Sequence, residues 1–249
     1  MGPLRSTPIL RSPLFAEHRL KVKASPGASS WIVAGVRHEL LTRALPALRH
    51  DMAAPLSVIR MSLLLLRHRA AAATADEGGW EQQLQSISEQ VDALADGVRS
   101  LRDWELAASD EGITRSALVR RCTSLMRAAY ELHGIRLQVD EQLAAGTPDE
   151  PRFPEGAALR YMVLGALGYL HDNTQRLGAI RVEPDGPEGL RFVASVGDSV
   201  SADPTPMAGA LRAPRKLAID AIAFQALADG LGYPVTVDGT TVQLSLKPR

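Results

Sequence analysis

Two long segments with apolar residues at helical spacing lie near the start of the chain and constrain its fold more than any other feature. The first spans about residues 31–69, and the second, residues 80–101, repeats apolar residues at heptad spacing. The link between them, residues 70–79, is rich in alanine and ends in two glycines, so the chain can turn back on itself. The pattern predicts an antiparallel helical hairpin. Because one hairpin leaves its apolar seam half exposed, we expect two copies to pair into a four-helix bundle.

A single histidine, His50, is predicted to lie on the outer side of the first segment. It precedes Met52 of the apolar stripe by two positions, which is roughly 200° around a helix, so its side chain is expected to point away from the stripe. Asp51 follows it directly. An outward histidine beside a carboxylate is available for chemistry, although such a pair is also a common solvated surface feature. The stripe itself comprises Leu45, Leu48, Met52, Leu56, Ile59, Leu63 and Leu66.

The run Arg-His-Asp-Met-Ala-Ala-Pro-Leu at residues 49–56 resembles the H-box of sensor histidine kinases, usually written His-Glu/Asp-x-x-Thr/Asn-Pro-Leu. Residues 31–108 resemble the dimerisation and histidine-phosphotransfer domain of that family. Residues 118–143, 159–182 and 190–246 resemble successive parts of its ATP-binding domain, in the same order. The resemblance implies that His50 is a phosphoacceptor.

The residues with which that family binds ATP are mostly replaced here. The two asparagines of its N-box fall on Gly165 and Tyr169, and tyrosine is a poor ligand for the magnesium ion that accompanies ATP. Asp198 falls where the family reads adenine, but the glycines that let backbone amides approach phosphates are absent after it. We therefore expect a degenerate domain that uses no ATP, no other cofactor and no metal. Asp198 can equally be an ordinary turn residue.

A phosphorylatable histidine without its own kinase must receive phosphate from elsewhere. The resemblance implies a dimeric histidine phosphotransferase that carries a phosphoryl group between aspartates of response-regulator receiver domains, with magnesium on the partner receiver domain. One alternative is a pseudokinase scaffold that dimerises and docks or sequesters a response regulator without phosphotransfer. Another is a divergent kinase that binds ATP without the glycines. A hairpin with no chemistry also remains open.

The roles of the residues around His50 follow from their chemistry and from the resemblance. Asp51 either orients the His50 ring by a hydrogen bond to one nitrogen or serves as a general base at the other. In kinases the Thr or Asn at the position of Ala54 positions a water that dephosphorylates the receiver, so alanine disfavours a phosphatase. Arg49 and Arg60 either meet an acidic receiver pocket or are simply solvated. The predicted partner-binding residues are Arg49, Ala53, Ala54 and Arg60.

Composition limits the remaining functions. The chain has 249 residues with 28 Lys+Arg and 28 Asp+Glu, so its net charge does not favour nucleic-acid or membrane binding. Its one cysteine, Cys122, excludes an internal disulfide, fits a reducing compartment and is predicted to be a small core residue. No apolar run approaches the length of a membrane span. We expect a cytoplasmic protein.

The sequence divides into three parts. Residues 1–28, with several prolines and a basic excess, are predicted to be a flexible extension; residues 29–110 form the hairpin, and residues 111–249 a degenerate ATP-binding-like domain. The chain is therefore predicted to be α+β, with the hairpin followed by an α/β sandwich whose helices cover one face of a mixed sheet. The predicted strands are 135–139, 179–182, 190–196, 235–237 and 241–246, the helices 114–133, 156–174 and 215–230, and the loops 144–154 and 197–214.

Overall fold

The structure is a computed structural model that describes residues 26–71, 77–102, 104, 112–147, 149–197 and 217–249. The predicted extension lies outside the described residues except for its last three positions, which are helical. Asp198 also lies outside them. The described chain is α+β, with a long helical hairpin followed by a mixed-sheet domain, which confirms the predicted fold class of the single chain.

The hairpin consists of α1, Pro26–Ala71, and α2, Glu77–Arg102. Gly97 of α2 faces Met52 of α1, since a Cβ built on Gly97 would lie 3.4 Å from the Met52 Cγ. The two helices therefore run antiparallel, as predicted. Helix α1 continues through both of its internal prolines, Pro46 and Pro55. The second pair of helices in the expected bundle stays a prediction.

The apolar stripe predicted for α1 is divided between two faces. Leu48 and Leu66 are buried, and Pro55 and Ser62, which follow Leu48 at seven-residue steps, are buried with them. Leu56 and Leu63, predicted to belong to the same buried stripe, are instead 52% and 48% exposed. A helix in a two-helix hairpin covers only a narrow seam, so a broad stripe leaves part of its width in solvent.

Helix α2 has an exposed apolar row of its own at seven-residue steps. Leu84, Val91 and Val98 are each at least half exposed. Trp80 and Leu101, at the two ends of the same pattern, are also partly in solvent. Both helices of the hairpin therefore expose apolar side chains, and large exposed apolar patches of this kind are typical of interaction surfaces.

The second domain is a five-stranded mixed sheet with helices on one face. Its elements are β1 Ile113–Thr114, α3 Arg115–Leu132, β2 Arg136–Val139, α4 Glu141–Ala145, β3 Arg152–Phe153, α5 Gly156–Asn173, β4 Leu177–Pro184, β5 Gly189–Val196, α6 Ala221–Leu231, β6 Val235–Asp238 and β7 Thr241–Ser245. The strand order is β2-β4-β5-β7-β6, in which only the pair β2–β4 is parallel. Strands β1 and β3 form a separate antiparallel pair.

The predicted strands and helices are found near their predicted positions, but β1, α4 and β3 were not predicted and α6 begins late. Most of the predicted loop 197–214 lies outside the described residues. The helix predicted at 215–230 begins only at Ala221, where the side chain of Asp220 accepts a hydrogen bond from the Ala223 amide and caps it. Residues 217–220 are not helical. The predicted loop 144–154 contains the end of α4 and all of β3. Helix α4 and strand β3 are too short for a periodic pattern to reveal them.

Helix α5 is the centre of the domain. All residues from Gly156 to Leu170 are buried, including Arg160, as expected for a helix enclosed on every side. The sheet contributes the inward side chains of alternate positions, among them Ile180 and Phe192.

The first half of α1 belongs to this same core. Val36, Leu40, Ala44 and Leu48 recur every four residues along one face and are buried in one cluster with residues of α5 and α6. A Cβ on Gly168 of α5 would lie 2.8 Å from the Ile219 Cδ1 and 3.5 Å from the Leu40 Cδ2, so the layers approach closely. Helix α1 thus links the α/β domain to the hairpin without a break.

Candidate functional site

His50 lies on α1 with its ring in solvent, 82% exposed, as predicted. Its Nδ1 is 3.6 Å from the Oδ1 of Asp51, whose side chain is also largely exposed. The carboxylate therefore faces one ring nitrogen. When the ring is neutral and Nδ1 carries the proton, Nε2 holds the lone pair and is the nucleophilic atom.

The four residues predicted to bind a partner lie on the same helix as His50. The residues Arg49, Ala53, Ala54 and Arg60 are all exposed. The small side chains of the two alanines leave the turn after His50 open to a macromolecular partner. Pro55, one turn after His50, is buried, and since proline has no N–H, it donates no helical hydrogen bond to the Asp51 carbonyl.

Two of the three positions predicted to be degenerate, Gly165 and Tyr169, lie in packed protein. A Cβ on Gly165 would lie 2.9 Å from the Phe224 Cε2 and 3.0 Å from the Leu227 Cδ2 of α6. Tyr169 is 9% exposed and stacks on Phe224, with ring centroids 6.0 Å apart and planes inclined at 19°. Helix α6 therefore covers the face of α5 on which the family's asparagines would lie.

A part-buried ion pair fastens α1 to the end of α5. The Arg43 guanidinium donates Nη1 and Nη2 to the two carboxylate oxygens of Asp172, at 3.1 and 2.8 Å. It also donates to Glu39 at 2.9 Å and to the Leu217 carbonyl at 2.8 Å. A bidentate arginine–carboxylate pair of this kind fixes geometry as well as adding energy. We call Arg43, Asp172 and their partners the helix lock.

The helix lock also holds the segment before α6. Asp172 Oδ2 accepts a hydrogen bond from the Ile219 amide at 2.8 Å, and His171 Nδ1 lies 2.8 Å from Asp172 Oδ1. Burial alone would raise the pKa of Asp172, but hydrogen bonds from His171, Arg43 and the Ile219 amide outweigh it and lower this pKa to about 2. The carboxylate is thus ionised at neutral pH. The lock was missed from the sequence, and the 129 residues between Arg43 and Asp172 offer no local signal for it.

Trp104, just after α2, was also missed. It is 7% exposed, and its carbonyl accepts a hydrogen bond from the Tyr161 hydroxyl at 3.2 Å. The guanidinium of Arg160, itself buried, lies 5.8 Å from the centre of the Trp104 ring. The available signal was a lone aromatic residue near the end of the predicted hairpin segment.

The remaining candidates have structural roles. His133 follows the last turn of α3 as its C-cap, and His171 stacks on Tyr130 with ring centroids 5.1 Å apart. Cys122 is fully buried, as predicted for a core residue, and burial raises the pKa of its thiol to about 12. Among the described residues, no group of three or more His, Cys, Asp or Glu is arranged to hold a metal ion. In the part of the chain that the structure describes, no helix is both long and apolar enough to cross a membrane.

No protein-family model matches the chain, and no curated protein matches it either. Among solved structures, it is similar to a bacterial phosphotransferase at 17% identity and a TM-score of 0.33, over 85% of this chain and 95% of that chain. A histidine kinase from Burkholderia phymatum STM815 has 14% identity and a TM-score of 0.34, over 80% and 95%. The Acinetobacter baumannii histidine kinase AdeS has 15% identity and a TM-score of 0.31, over 80% and 98%. These neighbours agree with the predicted resemblance to a histidine-kinase-like core. Their TM-scores are too low to carry an argument about activity.

Proposed function

We propose that the chain is a histidine phosphotransferase of a phosphorelay. His50 takes a phosphoryl group from the aspartate of one receiver domain and passes it to the aspartate of another, without ATP-dependent autophosphorylation. The observation that carries the proposal is the exposed His50 ring with Asp51 facing its Nδ1 at 3.6 Å. This geometry leaves Nε2 free of the carboxylate, on a ring that solvent reaches.

The transfer step needs little from this chain. The Nε2 lone pair attacks the phosphorus of the aspartyl phosphate, the bond from phosphorus to the aspartate oxygen breaks, and the receiver's carboxylate leaves. The ring keeps its Nδ1 proton and becomes positively charged, and the Asp51 carboxylate stabilises that charge. Asp51 therefore orients and stabilises the ring rather than removing a proton from the attacking nitrogen. Phosphoryl transfer depends mostly on such positioning and electrostatics.

The packing of α5 supports the absence of ATP use. Any side chain at Gly165 would meet α6, because its Cβ would lie 2.9 Å from Phe224 and 3.0 Å from Leu227. Interiors packed at this density do not accommodate an additional ligand without moving whole elements. The helix lock holds the segment before α6 in place through the Ile219 amide, which opposes such a movement.

Assembly as a homodimer is part of the proposal. The exposed apolar rows of α1 and α2 lie on the hairpin at helical steps, with Leu56 and Leu63 on one helix and Leu84, Val91 and Val98 on the other. A two-fold axis brings the same face of a second copy against this one, so each row buries its partner's. The result is a four-helix bundle with one His50 on each chain.

The surface around His50 suits a protein partner. Arg49 and Arg60 are exposed on the same helix and carry the charge that an acidic receiver pocket requires. Ala54 offers no hydroxyl or amide to position water, which favours a carrier over a phosphatase.

The test is phosphorylation of the full-length chain by purified, phosphorylated receiver domains of the same organism, with ATP alone as a parallel donor. We expect acid-labile label on the wild-type chain from a receiver and none from ATP. The variant His50→Ala should lose all label, whereas His38→Ala should keep it, since His38 is another exposed histidine on α1 that is followed by an acid.

Two results contradict the proposal. Label from ATP alone would identify a kinase. Absence of label across the whole panel of receivers, together with receiver binding, would support the pseudokinase scaffold instead.

A further inference from the structure

Pro46 lies in α1 between the half that is built into the α/β domain and the half that carries His50. It follows Arg43 of the helix lock by three residues and precedes His50 by four. A proline inside a helix has no N–H to donate to the carbonyl four residues earlier, here that of Thr42, and sharp helix bends occur mostly at such positions. The side chain of Pro46 is exposed. Helix α1 is therefore weakest just before the turn that presents His50.

Trp104 holds the other helix of the hairpin to the α/β domain. Its backbone amide donates a hydrogen bond to the Leu101 carbonyl at 3.2 Å, so it continues directly from the last turn of α2. The residue is 7% exposed, and its ring meets the Tyr161 ring edge-on, with centroids 5.5 Å apart. The Arg160 guanidinium lies 5.8 Å from the ring centre, and the Tyr161 hydroxyl donates to the Trp104 carbonyl at 3.2 Å. Because Arg160 and Tyr161 both belong to α5, these contacts fasten the end of α2 to the central helix.

Pro46 and Trp104 lie at the same level of the hairpin. Gly97 of α2 faces Met52 of α1, and seven residues along each antiparallel helix from that contact bring Trp104 level with Leu45. At this level Trp104 lines a groove of about 560 Å³ between the hairpin and the α/β domain. The groove is space into which the hairpin can tilt, so the contacts of Trp104 maintain the separation on this side.

The helix lock supplies the fixed side of this arrangement. Arg43 binds Asp172 at the carboxyl end of α5, eleven residues from Tyr161, which is about 16 Å along a helix at about 1.5 Å per residue. Arg37 of α1 also lies over the Tyr161 ring, with its guanidinium carbon 5.1 Å from the ring centre. The part of α1 before the proline is thus held near both ends of α5, and the hairpin beyond the proline is tied back at the end of α2.

We propose that Pro46 is a hinge in α1 and that Trp104 is the latch that keeps this hinge straight. While Trp104 is seated on α5, the hairpin and the α/β domain keep one orientation, and His50 points in one direction. When Trp104 leaves its place, the hairpin tilts about Pro46 and carries His50 with it. The hinge and the latch determine how His50 is held, whatever that histidine carries, so they go beyond the proposed function and do not depend on it.

The experiment measures the distance between two spin labels on the full-length chain by double electron–electron resonance. One label is attached at Met61→Cys, on an exposed position of α1 beyond the hinge, and the other at Ala128→Cys, on an exposed position of α3. Cys122→Ala removes the one native cysteine. The labelled chain is mixed with an excess of unlabelled chain, so that a labelled copy in a dimer pairs with an unlabelled one.

Trp104→Ala is expected to shift and broaden the distance distribution. Met61 lies fifteen residues beyond Pro46, which is about 22 Å along a helix. A bend of about 20° at the proline would therefore move the label by about 8 Å. Adding Pro46→Ala to the Trp104→Ala chain should return the distribution to that of the parent chain, because alanine restores the helical hydrogen bond to the Thr42 carbonyl.

The matched control is Trp31→Ala, which removes an 80% exposed tryptophan from α1 and should leave the distribution unchanged. Tyr161→Phe is a milder release, because it removes only the hydrogen bond to the Trp104 carbonyl. It should broaden the distribution in the same direction by a smaller amount. Circular dichroism checks that each variant is folded, and Tyr161→Phe serves as the test if Trp104→Ala is not.

Two results would overturn the inference. A distribution left unchanged by Trp104→Ala and Tyr161→Phe in folded chains would show that Trp104 is no latch. Broadening that Pro46→Ala does not reverse would show that the chain bends elsewhere. The measurement contains no receiver domain and no phosphate, so a failure of transfer to His50 would contradict the proposed function and leave the hinge and latch standing.

Discussion

The two halves of helix α1 differ although they form one continuous helix. In the first half, Leu40 is 1% exposed and Arg43 is bound by Glu39 and Asp172. In the second half, His50 is 82% exposed and Leu56 is 52% exposed. The first half is a structural part of the α/β domain, and the second half leaves a histidine and several apolar side chains in solvent.

The difference shows how a rigid element serves two purposes. Side chains of the first half pack against other parts of the same chain, so they fix the direction in which α1 leaves the domain. The second half then needs no packing of its own around His50, and its alanines and arginines can remain open to a partner. The orientation of His50 is thus set by residues one to two turns away, without any contact that would block the ring.

The strongest test of this contrast is to make the same substitution on both halves. Leu40→Ala should lower the free energy of unfolding by about 3 kcal/mol, since it leaves a cavity in a fully packed core. Leu56→Ala should act through association instead, so its effect on the melting temperature should depend on chain concentration. Thermal unfolding at several concentrations and sedimentation velocity measure both effects. A large, concentration-independent loss in Leu56→Ala would show that the second half is also part of the core.

The helix lock gives a test with a defined pH dependence. The pKa of Asp172 is lowered in the folded chain to about 2 from its ordinary value of 3.8, so its charge stabilises the fold at neutral pH. That stabilisation is fully present above about pH 4 and is lost as the pH falls toward 2. We expect Asp172→Asn to cost about 2 kcal/mol at pH 7 and progressively less as the pH falls from 4 through 2, measured by urea unfolding at each pH.

The control for the lock is a carboxylate on the surface. Asp185 accepts a hydrogen bond from Arg191 at 2.9 Å, but both side chains are about one-third exposed or more. Asp185→Asn should therefore change the free energy of unfolding by less than about 0.5 kcal/mol at either pH. Equal losses in the two variants would mean that burial of the Asp172 pair does not matter.

The smallest expected effect concerns chemistry on the exposed half. Asp51→Asn keeps the shape of the side chain but removes the charge that faces the His50 Nδ1 at 3.6 Å. Because water attenuates a charge at this exposed position, we expect the rate of transfer to His50 to fall by roughly fivefold, with receiver binding unchanged. Single-turnover transfer from a phosphorylated receiver measures the rate. A loss as complete as that of His50→Ala would instead assign Asp51 an essential role in proton transfer.

Local patterns were enough to predict most of the elements. Apolar periodicity placed both hairpin helices and α3 and α5, and alternation placed all five strands of the main sheet, since these signals arise within a few neighbouring residues. The outward direction of His50 followed from its position two residues from Met52. The start of α6 was predicted too early, because the residues before Asp220 carry no pattern that excludes a helix.

The tertiary contacts around the candidate site could not be predicted from local patterns. The Arg43–Asp172 pair joins residues 129 positions apart, and Trp104 became significant only when it was placed beneath Arg160 and Tyr161. The apolar stripe of α1 was visible as one feature, but only the packing of the folded chain decided that Leu48 and Leu66 are buried while Leu56 and Leu63 are exposed.

The sequence by itself therefore determined the helical hairpin, the strand-and-helix order of the second domain and the exposed histidine on α1. Each depends on interactions between residues a few positions apart, which periodicity records. The tertiary structure decided which half of α1 is locked and that α6 covers Gly165 and Tyr169. Those arrangements depend on how whole elements pack, and packing is a property of the folded chain that no short stretch of sequence contains.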